Sequence, residues 1–490
     1  MYLGMDLGTS GLRVILTDPA GVVIGSATAD YPNPHPHPGW SEQDPGDWIQ
    51  AAQTCANQLR AAHSAAWGAV RGIGLSGHMH GATLVDRAGD VLRPCILWND
   101  TRASDQAARL DQADQMREIT GNIVFPGFTA PKLMWLREHE PELFAKIHKV
   151  LLPKDYLRYW LTGDFVGDMS DSAGTAWLDT GARDWSEAAL THSGMRRDQM
   201  PDLVEGSAAS GHLRAELCAD WGLSDTVIVA GGGGDNAVAA CGAGCFDEGQ
   251  GFVSLGTSGV LLAAKNSYAP DPGTAVHTFC HAVPDKWYQM GVILAATDSL
   301  NWLARLVGHQ AGDLAKGLDQ AMAGQTTGPG QALFLPYLSG ERTPHNDAAL
   351  RGAFWGLDVA QGPQDLTRAV MEGVSFALRD CLEALRATGT ELTQVLALGG
   401  GAQSEFWLQT VANTLNLPLQ VPKDGEFGAA MGAARLAQVA ASDADPASVM
   451  TSPDIARIIA PQPSLVPAYE DAYQGYCIAA QALRKHSARG

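Results

Sequence analysis

Short apolar runs alternate with turn residues in the first thirty positions, a pattern typical of antiparallel strands. Runs at 2–5 and 12–16 flank one turn, and the segment Asp18-Pro19-Ala20-Gly21 separates the second run from a third at 22–27. The pattern therefore predicts a hairpin followed by a third strand.

The periodicity changes to that of a helix after the segment Asp44-Pro45-Gly46-Asp47, which favours a helix start. Residues 70–75 then have the composition of a strand, so the first hundred residues predict the order β-β-β-α-β. The apolar positions on one face of the predicted helix are Trp48, Ala52, Cys55, Leu59 and Ala62.

The second half repeats this order more loosely. A hairpin is predicted at 249–264, a long helix at 364–387, a strand at 395–398, and two further helices at 404–415 and 427–441. Strands that alternate with helices indicate an α/β fold with mixed sheets. A glycine-rich stretch near 244–249 suggests a boundary, which predicts domains at 1–246 and 247–490.

A five-residue repeat supports a duplication. Leu7-Gly8-Thr9-Ser10-Gly11 is repeated unchanged from Leu255 to Gly259, again between two apolar runs. Glycine lets backbone N–H groups approach an anion, and threonine and serine hydroxyls add donors. Two ordinary hairpin turns are the alternative, because these residue types are common in turns. We favour a duplicated domain that holds one phosphate chain from two sides.

Net charge, cysteine spacing and the distribution of apolar residues indicate which partners and which cellular compartment to expect. The 490 residues carry a net charge of −20, which argues against nucleic acid as the main partner but does not exclude a nucleotide. The eight cysteines include no CxxC pair, which indicates reduced thiols. The N-terminus lacks a basic leader, and glycine and proline interrupt the run at 320–340. We therefore expect a cytoplasmic protein with no membrane partner.

Asp235 is the first candidate for chemistry. A predicted strand at 226–230 is followed by four glycines and then by this aspartate. An acid at a strand-to-helix turn can accept a proton from a substrate hydroxyl. It can equally serve as a helix N-cap, and both interpretations remain open on these residues alone.

Two further positions suggest a bound nucleotide. Asp6 ends an apolar run directly before the first repeat and could hold a hydrated Mg²⁺, or it could be an ordinary turn aspartate. Gly400 and Gly401 follow a predicted strand and would allow a flat ring to approach, although a plain glycine turn explains them too. Neither a P-loop nor a Rossmann fingerprint is present.

A polar segment suggests a sugar pocket. His80 lies on a loop after a strand and suits a hydrogen bond to a polyol, while the spacing of His78 and His80 is poor for a metal. Trp98, which stands close to Asp100, could form the floor of a carbohydrate pocket, although a buried tryptophan is the commoner case.

Two long signatures give the chain a family resemblance. Residues 127–139 read GFTAPKLMWLREH, and a second signature runs from GAFWGL at 352–357 to DLTRAVME at 365–372. In these residues the chain resembles the FGGY carbohydrate kinases of the actin-like, sugar kinase and Hsp70 ATPase superfamily. The resemblance implies two RNase H-like domains of α/β type that close over a cleft.

Within that family the similarity is greatest to members that phosphorylate D-xylulose. It is carried by stretches such as WSEQDP at 40–45, GHMHGATL at 77–84 and LPYLSGERTPHN at 335–346. The resemblance implies transfer of phosphate from ATP to the C5 hydroxyl of D-xylulose, in xylose catabolism, with Asp235 as the base. It also implies Mg²⁺ held by Asp6 and Asp235. The substrate residues it implies are Met79 and His80, with Asn236 beside the base, and the nucleotide residues it implies are Gly256, Thr257, Gly400 and Gly401. From the residues themselves we add Trp98 and Asp100 for the sugar and Gly8, Thr9 and Ser10 for the phosphates.

Several alternatives stay open. The sugar could be ribulose, gluconate, fuculose or glycerol, and a more distant possibility is an actin-like assembly or chaperone ATPase. A homodimer is expected only by analogy. Two departures from the family pattern are a fourth glycine before Asp235, where three are usual, and Gln403, where arginine is common.

Overall fold

The computed structural model describes residues 1–325, 327–423 and 428–487, which form two seven-stranded mixed sheets covered by helices. The strands of the first half are β1 (Tyr2–Leu7), β2 (Gly11–Thr17), β3 (Val23–Asp30), β4 (Glu42–Gln43), β5 (Gly72–Gly77), β6 (Thr83–Val85), β7 (Cys95–Ile96), β8 (Lys149–Leu151), β9 (Val166–Asp168), β10 (Leu178–Asp179), β11 (Asp184–Trp185), β12 (Asp202–Val204), β13 (Ala209–His212), β14 (Ile228–Ala230) and β15 (Gly233–Gly234). Its helices are α1 (Pro45–Ala62), α2 (Ser64–Trp67), α3 (Ser104–Asp111), α4 (Met116–Thr120), α5 (Thr129–His139), α6 (Pro141–Phe144), α7 (Pro153–Thr162), α8 (Met169–Ser172), α9 (Glu187–Ser193), α10 (Ala215–Trp221) and α11 (Asp235–Ala243).

The second half continues with the same kinds of element. Its strands are β16 (Gly251–Leu255), β17 (Gly259–Lys265), β18 (His277–Cys280), β19 (Trp287–Ile293), β20 (Leu333–Leu335), β21 (Ala353–Trp355), β22 (Val395–Leu398), β23 (Leu419–Pro422) and β24 (Ile455–Ile459). Its helices are α12 (Thr297–Val307), α13 (Ala311–Met322), α14 (Pro363–Ala387), α15 (Glu405–Leu415), α16 (Ala429–Ser442), α17 (Pro446–Val449) and α18 (Val466–Ser487).

The two sheets share one topology. The first has the order β13-β14-β5-β1-β2-β3, and the second has β24-β23-β22-β16-β17-β19 followed by β18. In each sheet the hairpin strand with the repeated pentapeptide pairs in parallel with the strand beside it, β1 with β5 and β16 with β22. The duplication inferred from the pentapeptide and the mixed α/β fold are thus confirmed.

Most of the predicted elements form where the sequence pattern placed them. The carboxylate of Asp44 accepts a hydrogen bond from the Gly46 N–H at 2.8 Å and caps α1, whose apolar face is buried except for Ala62 at its end. The strand predicted at 395–398 is β22. The helix predicted at 427–441 is α16, which begins at Ala429, and Phe427 lies outside the described residues.

Helix α16 belongs to the second half in sequence but packs on the first sheet, against β1, β5 and α11. Its backbone approaches so closely that a Cβ on Gly4 would lie 1.9 Å from the Ala430 carbonyl oxygen, and one on Gly74 would lie 1.8 Å from that of Ala433. Glycine in the strands is therefore what allows the helix to sit on the sheet. The boundary near 246 stays a prediction.

The cysteines agree with the reduced thiols expected from their spacing. All eight cysteines are free thiols, and Cys477 alone among them is more than slightly exposed. Among the described residues, no helix has the length and apolar character that crossing a membrane requires.

Candidate active site

Asp6 and Asp235 lie together at the carboxyl-terminal edge of the first sheet. Asp6 is in β1, in register with Ser76 of the parallel strand β5, and Ser76 is in turn in register with Gly233 of β15. Asp235 follows β15 directly as the first residue of α11. Ligands of open α/β sheets bind at this edge, where strands end and helices begin.

The surroundings of Asp235 suit a proton acceptor. Its Oδ1 accepts hydrogen bonds from the backbone N–H of Asn236 at 2.7 Å and from the Asn236 side-chain amide at 2.9 Å. Burial raises the pKa of Asp235 to about 6, and the nearby charge of Asp6 contributes to the rise. Burial also raises the pKa of Asp6. The N-cap of α11 is Gly234, so the alternative role of Asp235 as an N-cap is not observed.

Hydrogen bonds to its backbone carbonyls hold the first Gly-Thr-Ser loop in place. The Tyr31 hydroxyl donates to the Gly8 carbonyl at 2.5 Å, the Gln43 side-chain amide donates to the Thr9 carbonyl at 2.6 Å, and the Tyr31 N–H donates to the Ser10 carbonyl at 3.2 Å. Carbonyl oxygens repel phosphate, and these bonds occupy them. The loop is therefore suited to present N–H groups and hydroxyls to an anion.

The second loop is held in an equivalent way by the start of α12. The Gly256 carbonyl accepts from the Thr297 N–H at 2.9 Å and from the Thr297 hydroxyl at 2.8 Å, and the Thr257 carbonyl accepts from the Ala296 N–H at 2.8 Å. The side chain of Thr257 is exposed. The two copies of the pentapeptide thus occupy equivalent positions in their sheets, and in both of them the loop carbonyls accept hydrogen bonds from neighbouring residues.

A cavity of about 380 Å³ adjoins the second loop. Gly400 and Gly401 form part of its wall, and Gln403 also borders it. A Cβ on Gly400 would meet no atom within 4 Å, so this wall is open toward the cavity. The other lining residues are Thr297, Leu300, Ala311, Gly312, Ala315, Lys316, Asp319, Ser404 and Trp407.

His80 is held in an unusual backbone conformation. Its φ of 71° lies in the left-handed region, which is strained for histidine and typical of functional positions. Nδ1 lies 2.6 Å from the Gly174 carbonyl oxygen, so Nδ1 carries the proton and Nε2 remains an acceptor. Burial lowers the pKa of His80 to about 3, and the ring is neutral at physiological pH.

Met79 connects His80 to the glycine run before Asp235. A Cβ on Gly234 would lie 2.9 Å from the Met79 Cγ, and the Tyr288 hydroxyl lies 3.9 Å from the Met79 sulfur. The charge of Asp235 acts on Tyr288, whose pKa is raised by burial first and by this carboxylate second. Met79 therefore packs against the glycine that precedes the candidate base, and His80 is the next residue along the chain.

Two predicted sugar residues lie in a different environment. The Trp98 ring is 44% exposed, and its Nε1 donates to the Thr9 hydroxyl at 3.0 Å, which places it beside the first loop. Asp100 is buried, and its carboxylate accepts from Arg102 and from the Ser41 N–H at 2.7 Å. A sugar contact by Asp100 would require these bonds to break. The sugar-binding roles of Trp98 and Asp100 remain predictions.

Sequence reasoning missed Lys132 beneath His80. This fully buried ammonium group donates to the His80 carbonyl at 2.8 Å and to the Gly127 carbonyl at 2.7 Å. The His80 carbonyl also accepts from the Thr129 hydroxyl at 3.1 Å, and the Phe128 ring stacks on the His80 ring. The available signal was a lysine within the apolar centre of the signature, APKLMW at 130–135.

Known proteins resemble this chain over both halves. Models of the FGGY family of carbohydrate kinases match residues 1–242 as the N-terminal domain and 251–441 as the C-terminal domain. A xylulose kinase from Escherichia coli K12 is 48% identical over 90% of each chain, and one from Bacillus subtilis is 39% identical over 89% of this chain and 87% of its own. The crystal structure of a xyloylose kinase from Brucella ovis has a TM-score of 0.96 at 55% identity, covering 99% of both chains.

Proposed function

Because the chain belongs to the FGGY family of carbohydrate kinases, we propose that it transfers the γ-phosphoryl group of ATP to the C5 hydroxyl of D-xylulose. Membership confirms the resemblance inferred from the two signatures. Asp235 carries the proposal, because it is a carboxylate of raised pKa at the strand ends, beside Asp6 and Met79. The sugar is assigned from the relatives named xylulose kinases, which match about nine tenths of the chain.

Asp235 acts as the general base. Asn236 occupies Oδ1, which leaves Oδ2 to accept the proton of the C5 hydroxyl. A pKa near 6 keeps the carboxylate ionised at neutral pH while it remains an effective proton acceptor. As the proton moves to Oδ2, the sugar oxygen bonds to the γ-phosphorus, and the bond from that phosphorus to the bridging oxygen of ADP breaks.

Asp6 would hold the Mg²⁺ that accompanies ATP, and Asp235 would face the ion through its hydration water, because Oδ2 of Asp235 is needed for the proton. Their carboxylates interact strongly enough for the charge of Asp6 to raise the pKa of Asp235, and oxygen ligands of this kind suit Mg²⁺. When bound, the ion neutralises negative charge on the phosphate oxygens. Asp6 is two residues from Gly8, so the same phosphates would meet the first loop.

The two Gly-Thr-Ser loops bind the phosphate chain, and the cavity beside Gly400 and Gly401 takes the adenosine. In both loops the carbonyl oxygens already accept hydrogen bonds from the protein. This arrangement supports binding of an anion by the N–H and hydroxyl groups of the loops. Phosphoryl transfer depends mainly on positioning and on stabilisation of charge, so these contacts supply most of the catalysis beyond the base.

His80 and Met79 hold the sugar next to the base. Neutral His80 offers Nε2 as an acceptor for a sugar hydroxyl, and the backbone bonds from Lys132 and Thr129 keep the loop in place. Met79 supplies an apolar surface for the C–H groups of the sugar. A homodimer and a cytoplasmic location also remain our proposals, and light scattering of the purified protein measures the first directly.

The pH dependence follows from the titration of Asp235. The base works only when ionised, so kcat/KM for D-xylulose is expected to rise with pH through about 6 and to level off above it. His80 adds no second step, because its pKa of about 3 leaves it neutral throughout this range. The measurement is kcat/KM from about pH 5 to about pH 8 at saturating Mg-ATP. A profile that stays level down to the lowest pH contradicts the assignment.

A panel of sugars tests the substrate. We expect kcat/KM for D-xylulose to exceed that for ribulose, gluconate, fuculose and glycerol by at least about tenfold, because a site built on hydrogen bonds discriminates strongly between hydroxyl patterns. ADP release coupled to NADH oxidation gives the rates, and mass spectrometry identifies the products. A higher kcat/KM for any other sugar overturns the assignment of D-xylulose.

A further inference from the structure

A buried ion cluster lies beneath the glycine run that precedes Asp235. The Lys154 ammonium lies 2.5 Å from Asp155 Oδ1, 2.6 Å from Asp168 Oδ1 and 3.4 Å from Asp171 Oδ2, and these four side chains are at most 1% exposed. Three carboxylates so close together could suggest a metal site. Here the lysine already supplies the cation between them, so we interpret the cluster as a buried ion network.

This network reaches the glycine run at both of its ends. Arg158 joins the network by donating from Nη2 to Asp155 Oδ1 at 2.6 Å, and it donates from Nη1 to the Gly231 carbonyl at 3.0 Å. The Ser170 hydroxyl donates to Asp168 Oδ2 at 2.5 Å and accepts from the Gly234 N–H at 3.2 Å. Ser170 thus connects the buried network to the last glycine before the base.

Gly234 directly precedes Asp235, so the position of the Gly234 backbone sets the direction of the Asp235 side chain. Gly233 and Gly234 pair with β5 as β15, and α11 begins at Asp235. A Cβ on Gly233 would lie 2.6 Å from the Ser170 Oγ, so the hydroxyl can approach only because glycine stands there. Four successive glycines have great conformational freedom, and these contacts restrict it where the base is attached. The fourth glycine therefore does not loosen the turn.

We propose that Ser170 is a positioning residue for phosphoryl transfer, holding Asp235 within proton-transfer distance of the sugar hydroxyl through its bonds to Asp168 and Gly234. This inference rests on the proposed role of Asp235 as base. General-base catalysis requires heavy-atom distances of about 2.6–3.2 Å. A displacement of about 1 Å costs about a hundredfold in rate.

Helix α8 offers a matched pair of serines for the test. Ser172 is as buried as Ser170, but its hydroxyl has no hydrogen-bond partner among the described residues. Ser170→Ala is expected to lower kcat by about 10- to 100-fold, with both KM values within about threefold. Ser172→Ala is expected to keep kcat within about twofold. Equal losses in the two variants, or a normal kcat for Ser170→Ala, overturn the proposal.

The Asp235→Asn background separates positioning from a general structural effect. If Ser170 acts through Asp235, Ser170→Ala lowers the residual rate of Asp235→Asn by less than about twofold. The same fold-loss in both backgrounds shows a structural role and overturns the proposal. Ser170→Cys is a second variant that fills the site but bonds weakly, and it is expected to lose rate as well. A wild-type kcat for this variant also overturns the proposal.

The two proposals fail in different ways. If Asp235→Asn keeps the wild-type rate, the base is wrongly assigned, and the role of Ser170 is lost with it. If Asp235→Asn is inactive while Ser170→Ala has a normal kcat, the positioning role alone is refuted. Thermal unfolding midpoints of all variants show whether each one is folded.

Discussion

Replacing Asp235 with asparagine is expected to lower kcat for D-xylulose phosphorylation by about 10²- to 10⁴-fold. Asparagine has the same size, but its amide cannot take the proton of the C5 hydroxyl. Nucleotide binding should persist, because the cavity beside Gly400 and Gly401 is built from the other half of the chain. Initial rates from ADP release and a titration with ADP measure the two properties separately.

A matched control for this change is Asp44→Asn. Asp44 caps α1 through a hydrogen bond from the Gly46 N–H, and asparagine is an equally good N-cap, so kcat should stay within about twofold of wild type. Near-normal turnover by Asp235→Asn would refute its role as base. Loss of ADP binding together with the rate would also contradict the assignment, since it would indicate damage beyond proton transfer.

The second large effect concerns stability rather than chemistry. Lys154→Met is expected to lower the free energy of unfolding by about 3–5 kcal/mol, because it leaves the buried carboxylate of Asp168 without its cation, while Asp155 keeps Arg158. If the N-terminal half melts as a unit, the thermal midpoint falls by roughly 6–20 °C. Thermal scans at neutral pH measure the shift.

Lys132→Met is the matched control, because Lys132 is also a fully buried lysine. It donates only to the carbonyls of His80 and Gly127, and burial lowers its pKa to about 7. Its removal strands no negative charge, so the loss should be at most about 3 kcal/mol. A loss for Lys132→Met equal to or greater than that for Lys154→Met would contradict the explanation by stranded charge.

Local elements were predicted well because their causes lie within a few residues of chain. Asp44 and Pro45 start α1, and β22 ends at the glycines that begin with Gly399. The matching pentapeptides after β1 and β16 likewise predicted two equivalent hairpins. Capping, turn chemistry and apolar periodicity act over such short distances, and the sequence displays them directly.

The candidate site was predicted only in part. Asp6 lies beside Asp235 and Met79 packs against Gly234, whereas Asp100 is bonded to Arg102 and to the Ser41 N–H, and the roles of all these residues stay predictions. Arg102 stands two positions after Asp100, but no residue near Asp100 in the sequence shows that Ser41, 59 positions away, also donates to its carboxylate. That information depends on which distant segments meet in the folded chain.

By itself, the sequence determined the order of elements at the start of each half, the duplication and the family, and it named a candidate base. Tertiary structure alone decided that α16 packs on the first sheet, that His80 has a positive φ, and that Ser170 bonds to Gly234, 64 positions away. The physical reason is the distance along the chain over which each kind of interaction acts. Propensities and turns depend on neighbours along the chain, whereas buried ion networks and close backbone contacts depend on the packing of segments remote in sequence.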